Sequence, residues 1–454
     1  MLRSIEGPAL AGTAADRPST SPRIRQFYDA RLRTLYGHLV AAGAKVLVIG
    51  GADPALLSSL APAQGTSLTE VEVGDSLAEI SGHDTFDYIL LPDVVNGLWD
   101  VQATLASLAP RCRPETRIIM NFHSNLWRLP RAIASLFGLV APLRQNNWLT
   151  REDVVNLLYL AGFETINARS EVMLPVYVPL LSTLLNRFAV KLWPLQHLGF
   201  TNFVVARQLP VARQGEEIVS VIVPVRDEAG NIRAIFDRTP KMGAGTELVF
   251  VEGGSKDGSY EIIEKEMLTR QRPLTSLHRQ MGKGKGNAVT LGFEKATGDV
   301  LMILDSDLTV APEDLPRFYD VWKTGRGELI NGVRMVYPME GKAMPFVNMI
   351  GNKVFSIAFS YILRQKVKDT ACGTKVISRV QYDALRSAML EFEKYDRFGD
   401  WALLFSAARN NIKIVDLPIR YRSRSYGVTK MQRWRTGVLL LMMVSLGLRK
   451  LRFV

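Results

Sequence analysis

A chain of 454 residues is too long for one ordinary core, because domains usually run to about 100–200 residues, so two or three domains are expected. Hydrophobic residues at 47% and charged residues at 22% exclude a disordered chain and a multi-span membrane protein. Two cysteines, Cys112 and Cys372, exclude a disulfide framework or a zinc cluster and fit a reducing compartment, while a net charge of +12 draws anions: nucleotide phosphates, nucleic acid or an acidic lipid surface.

Taken in chain order, residues 1–25 lack the apolar core of a signal peptide and read as a flexible leader. From 26 to 206, strand-like runs alternate with helical ones. KVLVI (Lys45 to Ile49) is bounded by Gly50 and Gly51, and YILL (Tyr88 to Leu91) and RIIM (Arg117 to Met120) follow. Thr150 to Ala161 carries helical spacing, with Thr150 as N-cap, Asp153 three residues on, and Gly162 as the stop. Strands alternating with helices predict a parallel, doubly wound α/β sheet. Met173 to Leu185 and Leu192 to Phe200 are interrupted apolar stretches that read as core or lid. Residues 207–217 (RQLPVARQGEE) are polar, contain Pro and lack periodicity, as a linker does.

Residues 218–454 repeat the α/β logic. Val219 to Val223 shows no alternation, as expected of a strand covered on both faces. Glu247 to Val251 and Val300 to Leu304 are further strands, with helices near Asn231 to Phe236 and Ser259 to Thr269. Phe346 to Leu363 is apolar with a helical period. From Arg420 to Val454 there are nine Lys or Arg and no Asp or Glu, around the apolar Val438 to Leu448. No run reaches the ~18 apolar residues of a spanning helix. Two readings of these apolar helices stay open: packing on the domain, or lying in a membrane interface with cations on anionic headgroups.

The chemistry gathers at predicted strand ends. LMILDSDLT runs an apolar strand into Asp305 and Asp307, two hard oxygen ligands suited to Mg²⁺ or Mn²⁺ shared with substrate phosphates. Pro224, Asp227 and Glu228 follow the first strand, and Glu252 and Asp257 follow the second. The stretch Gly282-Lys283-Gly284-Lys285-Gly286 opens a helix, where Gly-rich backbone and Lys can hold phosphate; alone it also reads as an exposed loop.

The order PVRDE, VEGGSKDG, GKGKGNA, LDSDLT resembles the family 2 glycosyltransferases, whose nucleotide-binding fold is of the glycosyltransferase-A type. Further on, DTACGTK from Asp369, IVDLPIRYR from Ile414 and RSYGVTK from Arg424 resemble the branch that includes dolichyl-phosphate mannose synthase. The resemblance implies that Asp305 and Asp307 hold the metal. Pro224, Asp227, Glu228, Glu252 and Lys283 would line the nucleotide of a nucleotide-sugar donor. Arg424 and Lys430 would meet the diphosphate or the acceptor phosphate, and Asp369 would belong to the catalytic set. Asp400 in FGDWALL would stand near the acceptor, as a general base or an orienting group. The expected acceptor is a polyprenyl phosphate or a glycan precursor, and the apolar stretches Phe346 to Leu363 and Val438 to Leu448 would let the enzyme sit peripherally at the inner, cytoplasmic face of the membrane and reach a lipid phosphate. The usual second acid after Glu252 is Gly253 here, and the Gln common two residues past Asp307 is Thr309.

Residues 36–206 resemble a class I S-adenosylmethionine-dependent methyltransferase, through KVLVIGGAD, FDYILLPDVVNGLWD and LTREDVVNLLYLAGFE. That implies Gly50 and Gly51 at the methionine end of the cofactor, Asp93 near the adenine, and Glu70 or Glu72 on the ribose. Val48 replaces an acid expected in the strand, and Ala52 and Pro54 replace two expected glycines, which restricts close backbone approach. The alternatives are a bifunctional glycosyltransferase and methyltransferase, or a first domain kept for docking or regulation. A nucleotidyltransferase would want a Gly-rich loop with Arg directly after the first strand, and PVRDE has no glycine there. A nucleic-acid binder would rest only on the basic C-terminal stretch interleaved with Tyr421, Tyr426 and Trp434, and nucleic acid is not expected as a partner.

Overall fold

The computed structural model describes residues 22–50, 54–60, 67–71, 84–137, 147–272, 274–340, 344–427 and 433–454. The chain divides into two compact units, Met1–Leu209 with Phe453–Val454, and Pro210–Arg452. The division at 209/210 falls within the polar 207–217 segment.

The first unit is built on six strands: β1 (Lys45–Ile49), β2 (Ser67–Val71), β3 (Phe86–Leu91), β4 (Cys112–His123), β5 (Phe163–Val172) and β6 (Thr201–Gln208). They lie in the order β2-β1-β3-β4-β6-β5. β2, β1, β3 and β4 pair in parallel, but β6 is antiparallel to both β4 and β5, which corrects the all-parallel expectation. Its direction could not be read locally: β6 is buried along nearly its whole length, so its residues show no alternation. Helix Arg151–Leu160 carries the expected cap. The Thr150 amide donates to Asp153 Oδ2 at 2.8 Å and the Asp153 amide donates to Thr150 Oγ1 at 3.1 Å. Val154 and Leu158, one turn apart, then bury against Phe163, Val204 and Ala206. Helix Pro22–Leu39 begins inside the expected leader. Leu32, Leu35, Tyr36 and Leu39 fall on one face by helical spacing and pack with Val46, Val48 and Val205. Burial of this size is worth about 1.5–3 kcal/mol per large apolar side chain, which holds that helix on the sheet.

The second unit has seven strands: β7 (Ile218–Val225), β8 (Gly245–Glu252), β9 (Thr275–Arg279), β10 (Val300–Ile303), β11 (Leu329–Val333), β12 (Lys375–Ser378) and β13 (Ile414–Pro418). Their order is β13-β11-β12-β10-β7-β8-β9, and β12 is antiparallel to its neighbours β10 and β11. β7 explains the missing alternation: Val219, Val221 and Val223 enter one core and Ile222 enters the core on the opposite face. Both layers are closed by helices, so the polar chemistry is pushed to the strand ends.

Helices Phe346–Leu363 and Arg433–Gly447 divide between the two readings left open above. Phe359, Ile362, Leu363, Leu440 and Met443 join the core. Phe346, Val347, Val354, Ile357, Trp434 and Leu441 stay exposed. Phe346–Leu363 is long and apolar enough to cross a membrane by length and composition, with 28% of it buried, which amends the expectation that no run qualifies.

Candidate active site

β10, β7 and β8 are adjacent and parallel, so their carboxyl ends open on one rim of the sheet. Open α/β sheets bind ligands there. After β7, Asp227 takes a left-handed backbone (φ 49°), which a short polar residue tolerates. Its amide donates to Ser255 Oγ (2.9 Å), and its Oδ1 accepts from the Lys256 amide (2.8 Å). Glu228 is buried; its amide donates to Ser259 Oγ (3.0 Å), and its Oε2 accepts from Asn231 Nδ2 (2.8 Å). After β8, the buried Glu252 carboxylate accepts from the Ser255 amide. The Pro224 carbonyl accepts from Ser306 Oγ at 2.8 Å, which ties the first loop to the Asp305–Asp307 turn. The loops expected to line a nucleotide are therefore laced to one another before any ligand arrives.

Asp305 and Asp307 leave β10 with side chains 24% and 17% exposed, and each meets a cation. Lys285 Nζ stands 2.6 Å from Asp305 Oδ1, and Arg424 Nη2 stands 2.6 Å from Asp307 Oδ2. Arg424 also reaches Glu228 Oε1 through Nη1 at 3.1 Å. Thr309 donates through Oγ1 to Asp307 Oδ1 at 2.8 Å. Burial works to raise the pKa of Asp305, but the adjacent ammonium overrides it and holds the carboxyl below its usual range. Burial likewise works to lower Lys285, and Asp305 and Asp400 raise it instead.

Lys285 is the lysine of this stretch that the structure brings to the acidic pair. Lys283 was expected on the nucleotide, yet it is exposed in the loop, and Lys285 opens helix Lys285–Lys295 at the Asp305 carboxylate. Gly284 takes φ 93° and Gly286 packs on Gly399, so glycines on either side seat the lysine between them. Gly373, in the DTACGTK motif, completes the cradle. A Cβ there would collide with Lys285 Nζ and both oxygens of Asp305.

On the other side of Lys285 lies Asp400, buried at the start of helix Asp400–Arg409. Its Oδ2 is 3.7 Å from Lys285 Nζ, and its Oδ1 is 3.7 Å from Lys375 Nζ. Asp400 Oδ1 accepts no hydrogen bond among the described residues. Asp396 caps this helix, accepting from the amides of Phe398, Gly399, Trp401 and Ala402. Burial, with Asp400 adding to it, pushes Asp396 up to about 6.

Asp369 stands differently from the catalytic expectation. It is fully buried, with Arg334 bidentate at 2.8 and 2.9 Å and Asn352 Nδ2 at 2.7 Å. Its oxygens are saturated by protein donors, which suits a strut under the Gly373 turn and not a group that meets substrate. Arg334, its partner, carried no motif signal. Lys430 lies outside the described residues.

Two carboxylates on one partly open rim, beside a cradle that a Cβ would fill, fit a hard divalent cation that takes its other ligands from phosphate oxygens and water. No group of three His, Cys, Asp or Glu side chains forms a metal cluster among the described residues.

In the first unit, Gly50 takes φ 87° after β1, and Gly51 and Glu72 lie outside the described residues. Glu70 is exposed on β2. Asp93 follows β3 with φ 55°. Its Oδ1 accepts from Tyr28 Oη (3.0 Å) and from Asn121 Nδ2, and Tyr36 Oη donates to Asn121 Oδ1 (2.7 Å). His123 stacks on Phe200 at 4.4 Å, and burial pushes its pKa down to about 3. These groups form a polar cluster at the carboxyl ends of β3 and β4.

Residues 220–386, within the second unit, match the family described as Glycosyl transferase family 2. The chain is 28% identical over 221 residues to a dolichol-phosphate mannosyltransferase of Pyrococcus furiosus, covering 47% of this chain and 59% of that protein. It is 24% identical to an undecaprenyl-phosphate 4-deoxy-4-formamido-L-arabinose transferase of Pectobacterium atrosepticum, covering 47% and 62%. It is 25% identical to a polyprenol monophosphomannose synthase of Mycolicibacterium smegmatis, covering 46% and 80%. The chain thus spans about three fifths of the length of the first two of these relatives. Among solved structures it resembles glucosyl-3-phosphoglycerate synthase of Mycobacterium tuberculosis at 16% identity and a TM-score of 0.38, covering 52% of this chain and 80% of that one; at that level the likeness carries no weight.

Proposed function

We propose that the second unit moves a sugar from a nucleotide-sugar donor to a polyprenyl phosphate, with inversion at the anomeric carbon, at the cytoplasmic face of a membrane. The observation that carries this reading is the convergence of Glu228, Asp305 and Asp307 with Lys285 and Arg424 on one sheet rim. The relatives named for dolichol-phosphate, polyprenol and undecaprenyl-phosphate support the acceptor class.

Pro224, Asp227, Glu228 and Glu252 would line the nucleoside. Asp305 and Asp307 would hold Mg²⁺ or Mn²⁺, which when bound neutralises charge on the departing diphosphate. Arg424 and Lys430 would face the diphosphate or the acceptor phosphate. A phosphate acceptor is already ionised near neutrality, since its second pKa is about 6. Asp400, held between Lys285 and Lys375, then needs only to orient those two cations. A hydroxyl acceptor would instead require Asp400 as base. The exposed apolar flanks of Phe346–Leu363 and Arg433–Gly447 support contact with a lipid surface.

Asp307→Ala tests the core of the reading. It removes a rim carboxylate, not a core group, so transfer should be lost while circular dichroism and the melting transition stay close to wild type. Near-normal turnover in the folded variant would refute the role of the acidic pair.

The first unit supports a second reading, S-adenosylmethionine-dependent methylation. A mostly parallel sheet with one reversed strand next to its edge, and Asp93 among Tyr28, Asn121 and His123 at the strand ends, favour it. Calorimetric binding of S-adenosylmethionine to the full chain would support the bifunctional enzyme. Its absence would leave this unit a docking or regulatory role.

A further inference from the structure

We propose that Lys285 and Arg424 are resident counter-ions of the Asp305–Asp307 pair, so that a divalent cation fills the site only together with a nucleoside diphosphate. The inference rests on the metal-assisted transferase reading and adds to it the coupling between metal and donor.

Each carboxylate of the pair already has a cation 2.6 Å away. Lys285 is seated for this contact: Gly284 and Gly286 place it, and the missing Cβ of Gly373 leaves room for its ammonium. Arg424 is held by two acids at once, Asp307 and Glu228. Around the pair, Asp305, Asp307, Glu228 and Asp400 face Lys285, Lys375 and Arg424, so the charge is nearly balanced without metal. A bare dication brought onto the two aspartates would meet two positive groups in a partly buried setting, where like charges are weakly screened. It would also have to displace both from short ion pairs. A nucleoside diphosphate changes that balance. Its phosphates bring several negative charges, complete the metal's oxygen shell, and give the released ammonium and guanidinium new anionic partners. The two ligands should therefore bind with strong positive coupling, and by linkage the nucleotide gains from the metal the same factor that the metal gains from the nucleotide.

The test is calorimetric titration of the full chain with MnCl₂, alone and with saturating UDP or GDP, with melting curves to establish that each variant is folded. The wild type should bind Mn²⁺ alone at least on the order of tenfold more weakly than in the presence of its nucleoside diphosphate. Lys285→Met should tighten nucleotide-free Mn²⁺ binding by a similar factor and shrink the coupling. Arg424→Met is the second variant and should act in the same direction. Equal Mn²⁺ affinity with and without nucleotide in the wild type would overturn the proposal while leaving a metal site in place. So would unchanged nucleotide-free affinity in both folded variants. No Mn²⁺ binding under any of these conditions would overturn the metal reading on which the proposal rests.

Discussion

Asp369 shows how a buried charge can support a site without touching its chemistry. Burial alone would raise its pKa, but Arg334 and the Asn352 amide override that and pull it down to about 2. An unfolded Asp titrates near about 3.9. Because the folded state binds the proton less well, this group stabilises the fold above about pH 4, and the contribution fades as pH falls toward 2. The amount is about 2 kcal/mol. Asp369→Asn should flatten the pH dependence of denaturant stability between about pH 4 and 2 relative to wild type; an unchanged profile would show that the pair is not so coupled. The motif DTACGTK drew attention to this aspartate, but its saturated partners and its cation Arg334, 35 residues earlier, became visible only in the fold. The same holds for Lys285. Two lysines alternate with glycines in GKGKG, and nothing local ranks them until the helix start decides which one turns inward. The acidic residues were legible because each follows an apolar strand, and a carboxylate at a strand end has few other reasons to recur three times.

At the scale of elements, the site is braced where two backbones touch. The Gly286 amide donates to the Arg397 carbonyl at 2.9 Å, and a Cβ on Gly286 would sit 2.7 Å from the Gly399 amide nitrogen. Gly399 is itself left-handed at φ 78°, as its place before the capped helix Asp400–Arg409 requires. Gly286→Ala should cost about 1–3 kcal/mol through this overpacking. It should read as a lower melting temperature and as weaker donor use, since Lys285 and Asp400 lie on the two chains being pushed apart. A stability equal to wild type would contradict the close approach. Cap chemistry made the helix after Thr150 legible, including its stop at Gly162. Strand direction was not legible. β6 and β12 run against their neighbours, and a strand covered on both faces carries no mark of its direction in its residues.

For the whole molecule, the proposed lipid-linked acceptor requires the second unit to meet a membrane. Helix Phe346–Leu363 keeps Val354 at 58% and Ile357 at 63% exposed, while Phe359 and Ile362 anchor it in the core. Ile357→Glu should therefore leave thermal stability intact and reduce co-flotation with anionic vesicles by about tenfold, the worth of one large apolar side chain withdrawn from lipid. Added salt should weaken the wild-type contact too, because Arg435, Arg449 and Lys450 would act through screened charge. Undiminished flotation of the variant would place the lipid contact elsewhere. Composition offers a polar stretch with no period at 207–217, and the two units divide at 209/210. It could not say which apolar residues of the two helices face inward, since that depends on the partner each helix finds.

The most direct test of the account is transfer by the full chain from a panel of UDP- and GDP-sugars, with Mn²⁺ or with EDTA, and with or without a polyprenyl phosphate. The account predicts release of one nucleoside diphosphate that needs the metal, rises with the lipid phosphate, and is matched by sugar appearing on the lipid. Release that ignores the lipid and EDTA alike, with no glycosylated lipid formed, would contradict it.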